Sequence, residues 1–365
     1  MVLLIPIVTA FWFGTIALRD QENSGRSIWS RFREPGRLIL TATIAAWWAI
    51  SELRGVPRIQ SPLFWTLPVL SLGLFLAICY GFDRKLLKLR WSRLNIVWRA
   101  GWKIVALVIP LLALAVGCHG LMERNLWSTA WLIAAGIVAK VGTGFSRWAD
   151  GMRFNFLKTG ETRNRALATA QEMSIRLRRV FIVPAGKGHL TNAFGTGDAI
   201  GLTDNLGKYL TRDQSKFVIA HELAHLKLKH GRKQLMMILA VYPFLALILF
   251  LLAPVRPQYR AIFSFVITVL PVIVSFWFSR RMEYAADRAA VQFTQDPETA
   301  IRALARLHKS NELPAQRGPL VEIFASHPCF DQRALAIARD GEVSISRLGS
   351  ILEDERVEIP RNLIR

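Results

Sequence analysis

The apolar residues of this chain fall in long uncharged runs and not in the short alternating patterns of a soluble core. A helix needs about 20 mostly apolar residues to cross a bilayer. Seven runs approach that length and predict membrane spans near residues 2–18, 36–52, 63–82, 103–122, 126–142, 235–253 and 261–278. The second run is the weakest, because its uncharged centre is short, and it also fits a re-entrant or interfacial segment.

Short polar connections predict that some of these spans form helical hairpins. Residues 123–125 join the fourth and fifth spans, and residues 254–260 join the sixth and seventh. The first run has a second interpretation as a cleaved signal peptide. It lacks a basic segment before it and a small-x-small cleavage site after it, so an uncleaved span is the favoured interpretation.

Charge adds an orientation to this pattern. The chain carries 47 Lys and Arg against 26 Asp and Glu, a formal net charge of +21. The basic residues concentrate in the loops after the first and third spans, and such loops face the cytoplasm. With all seven spans counted, the N-terminus lies outside, and residues 143–234 and 279–365 share the cytoplasmic side. No nucleic-acid-binding motif accompanies the charge, so the predicted partner is the lipid bilayer and not nucleic acid.

The two polar regions have the pattern of a mixed α/β fold. The first predicts a helix at 162–177, a strand at 180–183, a strand–turn–strand at 189–201, a helical turn at 204–209 and a helix from Thr211 to Gly231. Thr211 and Gln214 fit a capping box at the start of that last helix. The second region predicts helices at 280–293, 297–308 and 331–339.

The segment AHELAHLKLKH carries the strongest chemical signal. His221 and His225 are four residues apart, so a helix projects both imidazoles from one face, where they fit two of the four ligand positions of zinc. Glu222 lies beside the first histidine and fits the general base that activates a zinc-bound water. The three cysteines form no CxxC pair, so a cysteine-ligated zinc knuckle is not indicated.

A catalytic zinc site needs a third protein ligand, and the segment RRMEYAADRAA offers one. Glu283 lies one turn beyond the end of the seventh predicted span, which returns to the side of the HELAH helix. Asp287, four residues on, fits a hydrogen-bond acceptor that fixes the tautomer of a ligand imidazole. The alternative is a helix with ordinary solvated charges.

Together these residues resemble the integral-membrane gluzincins, which comprise the HtpX-type proteases and the CAAX prenyl proteases. HELAH followed by His230, a hydrophobic hairpin, and the ExxxD pattern of Glu283 and Asp287 carry the resemblance, which covers about residues 160–340. TNAFGTG resembles the edge-strand segment of the family and SHPCFDQR its His-Pro…Arg segment. Cys329 departs from the family, which usually has a second proline there.

The resemblance implies a multi-pass α-helical membrane protein with a mixed α/β, mainly helical peptidase domain that a transmembrane hairpin splits. The predicted parts are the N-terminal spans in 1–142, the first part of the peptidase domain with the HELAH helix in 143–234, the hairpin in 235–278 and the second part of the domain in 279–365. One Zn²⁺ per chain is expected. The implied site comprises the zinc ligands His221, His225 and Glu283, the catalytic residues Glu222, His327 and Arg333, the supporting residues Asp287 and His230, and the substrate-binding residues Asn192, Ala193 and Phe194.

The expected function is a zinc-dependent endopeptidase that hydrolyses membrane or membrane-proximal proteins, with its active site on the cytoplasmic side of a bacterial inner (plasma) membrane. Two alternatives stay open: a CAAX-type prenyl protease, which the number of spans favours, and a non-catalytic zinc-binding membrane scaffold, which the intact Glu222 disfavours. The sequence specifies neither the substrate nor the oligomeric state.

Overall fold

The computed structural model describes residues 2–24, 39, 43, 62–86, 113, 117, 120–121, 125–138, 155–183, 193–252, 257–311, 322–323 and 325–357. Its contacts divide the chain into two compact units. The first unit comprises Met1–Arg147 and Gln234–Ser275, and the second comprises Trp148–Lys233 and Phe276–Arg365. Each unit is therefore built from two separate stretches of chain.

The first unit is helical throughout its described part. A 3₁₀ turn at Val2–Leu4 leads into helix α1 (Ile5–Ser24), and helix α2 (Pro62–Leu86) packs against it. A 3₁₀ turn at Leu126–Ser128 precedes a helical stretch at 129–138. Most of helix α6 (His230–Leu252) and the N-terminal half of helix α7 (Pro257–Thr294) also belong to this unit.

The predicted spans can be compared with these helices only where the chain is described. Helix covers the described residues of the runs near 63–82, 235–253 and 261–278. The run near 2–18 begins as a 3₁₀ turn and continues as helix, and the fifth run has a 3₁₀ turn at 126–128 followed by helix at 129–138. The runs near 36–52 and 103–122 lie almost wholly outside the described residues. Within the described ranges, no helix combines the length and the apolarity that crossing a bilayer requires.

The second unit contains a small sheet, six complete helices and the C-terminal part of α7 among its described residues. The strands are β1 (Asn155–Phe156), β2 (Arg179–Val183), β3 (Ala193–Thr196) and β4 (Ala199–Thr203), in the order β1-β2-β4-β3. The helices wholly within it are α3 (Glu161–Glu172), α4 (Leu206–Tyr209), α5 (Arg212–Lys227), α8 (Pro297–Ser310), α9 (Phe330–Asp340) and α10 (Ile345–Asp354). The predicted class, mainly helical with a small sheet, is confirmed.

The register of the sheet leaves β3 at its edge. β2 and β4 run parallel, with Phe181 opposite Gly201, while β3 returns antiparallel to β4, with Gly195 opposite Ile200. Gly197, with φ of +58°, supplies the left-handed turn residue between β3 and β4. Among the described strands β3 pairs only with β4. The Gly195 N–H of β3 instead contacts the Glu222 side chain of α5.

A single hydrophobic core fixes α5 between the sheet and α8. Ile200 and Leu202 project from β4, Phe217 and Leu223 from α5, and Ile301 from α8, and all five are at most 1% exposed. Burying one such side chain stabilises the fold by about 1.5–3 kcal/mol. The core therefore holds the helix that carries the HELAH motif firmly against the sheet.

Two predicted helix ends are wrong. The helix predicted at 162–177 ends at Glu172 as α3. The HELAH helix was expected to continue to Gly231, but α5 ends at Lys227 and α6 begins at His230. Lys229 has φ of +54° and takes the left-handed position that glycine usually fills after a helix. Gly231 lies in the first turn of the next helix. Strand β1 and helix α10 had no counterpart in the sequence prediction.

Candidate metal centre

Helix α5 begins with the capping box that the sequence predicts. The Thr211 hydroxyl accepts a hydrogen bond from the Gln214 N–H (3.3 Å), and the Gln214 side chain accepts one from the Thr211 N–H (3.0 Å). The cap satisfies two backbone donors at the start of the helix. It thereby sets the position from which His221 and His225 project on one helix face.

Three ligand atoms converge between α5 and α7. Nε2 of His221 and Nε2 of His225 lie 3.2 Å apart, and the two Glu283 carboxylate oxygens lie 3.6 Å and 3.5 Å from them. Ligand atoms about 2.1 Å from a tetrahedral ion lie roughly 3.4 Å from one another. The three donors are therefore spaced to bind one metal ion, and two imidazoles with one carboxylate are a donor set typical of zinc.

Asp287 fixes the ring of His221. Oδ1 of Asp287 lies 2.9 Å from Nδ1 of His221, so Nδ1 carries the proton and Nε2 is left to face the ligand cluster. Burial lowers the pKa of His221, but the charge of Asp287 and its hydrogen bond outweigh that effect and raise the pKa to about 10. A cation is thus electrostatically favoured where Nε2 points.

Arg333 in turn holds Asp287. Its Nε and Nη2 lie 2.8 Å and 2.6 Å from the two Asp287 oxygens, and its Nη1 lies 3.8 Å from Glu283. Burial raises the pKa of Asp287, but the Arg333 charge more than offsets this and the pKa is lowered. Two of the guanidinium nitrogens are engaged with Asp287, so this placement favours support of the site over contact with a substrate.

The break between α5 and α6 brings His230 into contact with His225. Nδ1 of His230 lies 2.8 Å from Nδ1 of His225. Residues five apart on a continuous helix project about 140° from one another, so this contact requires the left-handed residue Lys229. With Nε2 of His225 facing the ligand cluster, its Nδ1–H donates and His230 accepts as a neutral imidazole. Burial and Lys233 lower the pKa of His230 to about 4, which agrees with that neutral state.

Glu222 lies beside the ligand cluster and contacts the edge strand. The Gly195 N–H donates to the Glu222 carboxylate at 3.0 Å. A Cβ on Gly195 would lie 3.2 Å from the Glu222 carbonyl oxygen, so the missing side chain allows the strand to approach the helix closely. Burial raises the pKa of Glu222 from 4.5 to about 7, although the charge of His221 opposes this. Such a carboxylate is suited to accepting a proton near neutral pH.

This pKa predicts a stability effect in metal-free protein. The folded state holds the Glu222 proton more tightly than the unfolded state, so stability falls as pH rises from about 4.5 to 7, by about 3 kcal/mol. Glu222→Gln cannot ionise and escapes this penalty. After chelation, the melting temperature of the variant should exceed that of wild type at pH 8 and match it near pH 4.5. Glu172→Gln, at an exposed glutamate of α3, is the control. Equal melting temperatures for wild type and Glu222→Gln at pH 8 would contradict the prediction.

The predicted substrate-binding residues occupy the edge strand in part. Ala193 is buried in the core that supports α5, whereas Phe194 points to the opposite face of the sheet and packs edge-on against Phe181, with ring centres 5.4 Å apart. The Phe194 ring is thus directed away from Glu222, and only its main chain is available at the cleft. Asn192 lies outside the described residues.

His327 completes the polar surroundings of Glu283. Its Nδ1 lies 3.1 Å from a Glu283 oxygen, while 59% of its side chain is exposed. The negative charge of Glu283 raises the pKa of His327. Cys329 is buried and its Sγ donates to Glu322, so it does not belong to the ligand cluster.

Two contacts of α7 have no counterpart in the sequence prediction. Arg280 contacts the main chain of the segment before His327, and the Tyr284 hydroxyl donates to Gln332 at 3.1 Å. With Glu283, Asp287 and Arg288 they form a stripe along one face of the helix, which the 280-283-284-287-288 spacing could have suggested.

The buried and the exposed ion pair of this stripe should contribute different amounts to the free energy of unfolding. Arg333→Met leaves the Asp287 charge buried and should lower stability by about 3 kcal/mol, or roughly 6–10 °C in melting temperature. Arg288→Met breaks an exposed pair with Asp340 and should cost less than about 1 kcal/mol. Thermal melts of both purified variants test this prediction. Equal decreases in melting temperature would show that burial does not determine how much each ion pair stabilises the protein.

The site lies within a stretch that matches a known protein family. The family model described as peptidase family M48 matches residues 156–340, which is half of the chain and contains every described residue of the site. The chain belongs to peptidase family M48. The match confirms the resemblance inferred from the HELAH, edge-strand and ExxxD segments, which all lie within the matched stretch.

Curated relatives of this M48 chain carry the name protease HtpX. The chain is 29% identical over 177 residues to "Protease HtpX" of Pasteurella multocida, covering 40% of this chain and 61% of that one. It is 29% identical over 213 residues to "Protease HtpX" of Yersinia enterocolitica, covering 47% and 70%. The chain thus spans about three fifths of the length of the Pasteurella relative. Among solved structures it is similar to Ste24p of S. mikatae, with 16% identity, a TM-score of 0.46 and coverage of 92% and 97%.

Proposed function

We propose that this M48 chain is a zinc-dependent endopeptidase of membrane or membrane-proximal proteins. One observation carries the proposal: Nε2 of His221, Nε2 of His225 and the Glu283 carboxylate are spaced for one tetrahedral ion, with the Glu222 carboxylate beside them. That arrangement is suited to hydrolysis of an amide, because it combines a cation site with a poised base.

Zinc, when bound, would polarise the scissile carbonyl and lower the pKa of a coordinated water. The chain's own residues supply the proton transfers. Glu222, with its pKa raised by burial, takes the proton of the attacking water and returns it to the leaving amine. The Gly195 N–H holds that carboxylate at the edge strand, so its oxygen does not rotate away from the reacting water.

The remaining polar residues have supporting roles in this proposal. Asp287 and His230 orient the two ligand imidazoles through Nδ1. His327 is exposed and lies close to Glu283. In this proposal it donates a hydrogen bond to the oxyanion that forms on the substrate carbonyl. Arg333 contributes positive charge next to Glu283 while it supports Asp287.

An extended peptide is the substrate form that suits the edge strand. Residues 192–194 would bind it by β-augmentation, with main-chain hydrogen bonds that tolerate many sequences. Because the Phe194 ring packs on Phe181, that ring contributes to the strand's rigidity and not to a side-chain pocket. The proposal therefore predicts broad sequence tolerance near the cleavage site.

We propose a membrane location with the predicted domain organisation, in which the hairpin at 235–278 separates the two parts of the peptidase domain. Large apolar side chains are exposed on helices of the first unit, among them Val8, Phe11, Trp12, Phe244 and Leu251, each more than 60% exposed. An apolar surface of this kind suits lipid contact. In this proposal the catalytic part lies on the cytoplasmic side of a bacterial inner membrane, which the basic loops of the sequence favour.

Casein cleavage by the full chain in detergent tests the proposed activity. We expect cleavage that 1,10-phenanthroline abolishes and that its non-chelating 1,7 isomer leaves intact. Casein should be cut without a prenyl group, which the CAAX-type alternative does not predict. Full activity in the presence of the chelator would overturn the metal-dependent mechanism, and absence of cleavage by zinc-loaded protein would favour the scaffold alternative.

A further inference from the structure

The segment that carries His327 is attached to α7 at two points one helical turn apart. We define the His327 segment as residues 322–329, described except for residue 324. At one point, Nδ1 of His327 contacts Glu283 at 3.1 Å. At the other, Nη1 of Arg280 lies 2.9 Å, 3.1 Å and 2.7 Å from the carbonyl oxygens of Glu322, Ile323 and Ala325. Arg280 precedes Glu283 by three residues on the same helix face.

The three carbonyls converge on Arg280 because the segment makes a helical turn there. Residues 322 and 323 are helical, and the Ala325 N–H donates to the Glu322 carbonyl at 3.1 Å. The carbonyl oxygens of such a turn concentrate negative charge. A guanidinium satisfies them with charge-assisted hydrogen bonds, which are about twice as strong as neutral ones.

Contacts within the segment connect the residues that Arg280 binds to those on the far side of His327. The Glu322 carboxylate accepts from the Cys329 N–H at 3.3 Å and from its thiol at 3.1 Å, so the two ends of the segment are joined. Ala325 and Cys329 are buried on either side of the exposed His327. Fixing the carbonyls of the first turn therefore fixes the main chain on both sides of the imidazole.

We propose that Arg280 is a positioning residue that holds the His327 segment over the metal centre and acts on catalysis through His327. The idea rests on the proposed peptidase function for its kinetic consequence, but the structural attachment stands independently of it. Arg280 touches neither the ligand atoms nor Glu222. Its loss should leave zinc binding unchanged and slow the step in which His327 donates to the substrate.

The chain offers a matched control in the next residue. Arg281 is exposed, carries the same charge, and places its guanidinium 5.0 Å from the centre of the Trp277 ring. Arg280→Gln and Arg281→Gln therefore remove the same charge from adjacent positions of α7, and only the first loses contacts with the His327 segment. Arg280→Lys keeps the charge and one donor group but loses the planar fork.

Hydrogen–deuterium exchange and kinetics on the full chain in detergent test the proposal. Arg280→Gln should speed amide exchange in the His327 segment about tenfold, keep one zinc per chain, and lower kcat about tenfold with KM within about twofold. In Arg280→Lys, both the increase in amide exchange and the decrease in kcat should be smaller than in Arg280→Gln. Arg281→Gln should behave as wild type. In a His327→Ala background, Arg280→Gln should change kcat less than about twofold, because both act on one step.

Three results would overturn the proposal: unchanged exchange in Arg280→Gln, an equal kcat loss in Arg281→Gln, or a full additional tenfold loss in the His327→Ala background. If wild-type protein with stoichiometric zinc cleaves nothing, the proposed function fails. The exchange comparison of Arg280→Gln with Arg281→Gln then still decides whether Arg280 holds the segment.

Discussion

Glu222→Gln should lower kcat about a thousandfold and leave the zinc content at one per chain. General-base catalysis contributes about 10²–10⁴ in rate, and an amide cannot accept the proton of the attacking water. The substitution preserves shape, and its carbonyl oxygen can still accept the Gly195 N–H that now binds the carboxylate at 3.0 Å. The loss should therefore appear in kcat, with KM nearly unchanged.

Initial rates of casein cleavage and metal analysis of the same samples measure this effect. Glu172→Gln removes a carboxylate from an exposed site of α3, where it pairs with Lys216, and should cleave at the wild-type rate. If Glu222→Gln cleaves within about tenfold of wild type, Glu222 is not the general base and another group must accept the proton.

Glu283→Gln should lower zinc affinity by more than about a hundredfold. Even residues that only orient zinc ligands change affinity by about 10–100-fold, and Glu283 is itself placed as a ligand. An amide oxygen carries no charge to balance the ion, and the positive charge of Arg333, 3.8 Å from Glu283, would remain near the site. Loss of the metal should abolish peptidase activity.

Zinc retained after dialysis against a competing chelator reports this affinity. Glu353→Gln, at an exposed position of α10, should keep one zinc per chain under conditions that strip Glu283→Gln. Retention of one zinc by Glu283→Gln would assign the third ligand to a different residue.

Local sequence signals predict the parts of the site that depend on helix geometry. The spacing of His221 and His225 on one helix and the capping box at Thr211 are set by neighbouring residues, and the structure has both. The pairing of Glu283 with those histidines joins residues about 60 positions apart. The sequence could suggest it only through the expected return of a hairpin, and the contact distances now describe it directly.

Contacts that depend on an irregular backbone could not be predicted from the sequence. Gly231 was the expected end of the HELAH helix, but Lys229 takes the left-handed conformation instead, and only this break brings His230 to His225. A lysine carries no signal for such a turn. The same limit applies to Arg280, whose partners are backbone carbonyls and therefore leave no pattern in the residue types.

The most direct test of the account is a zinc titration of metal-free full-length protein, followed by casein cleavage. If His221, His225 and Glu283 form one catalytic site, activity should rise linearly with added zinc and stop rising at one equivalent per chain. Activity that survives removal of the metal, or that stays absent at one equivalent of bound zinc, would contradict a zinc peptidase at this site.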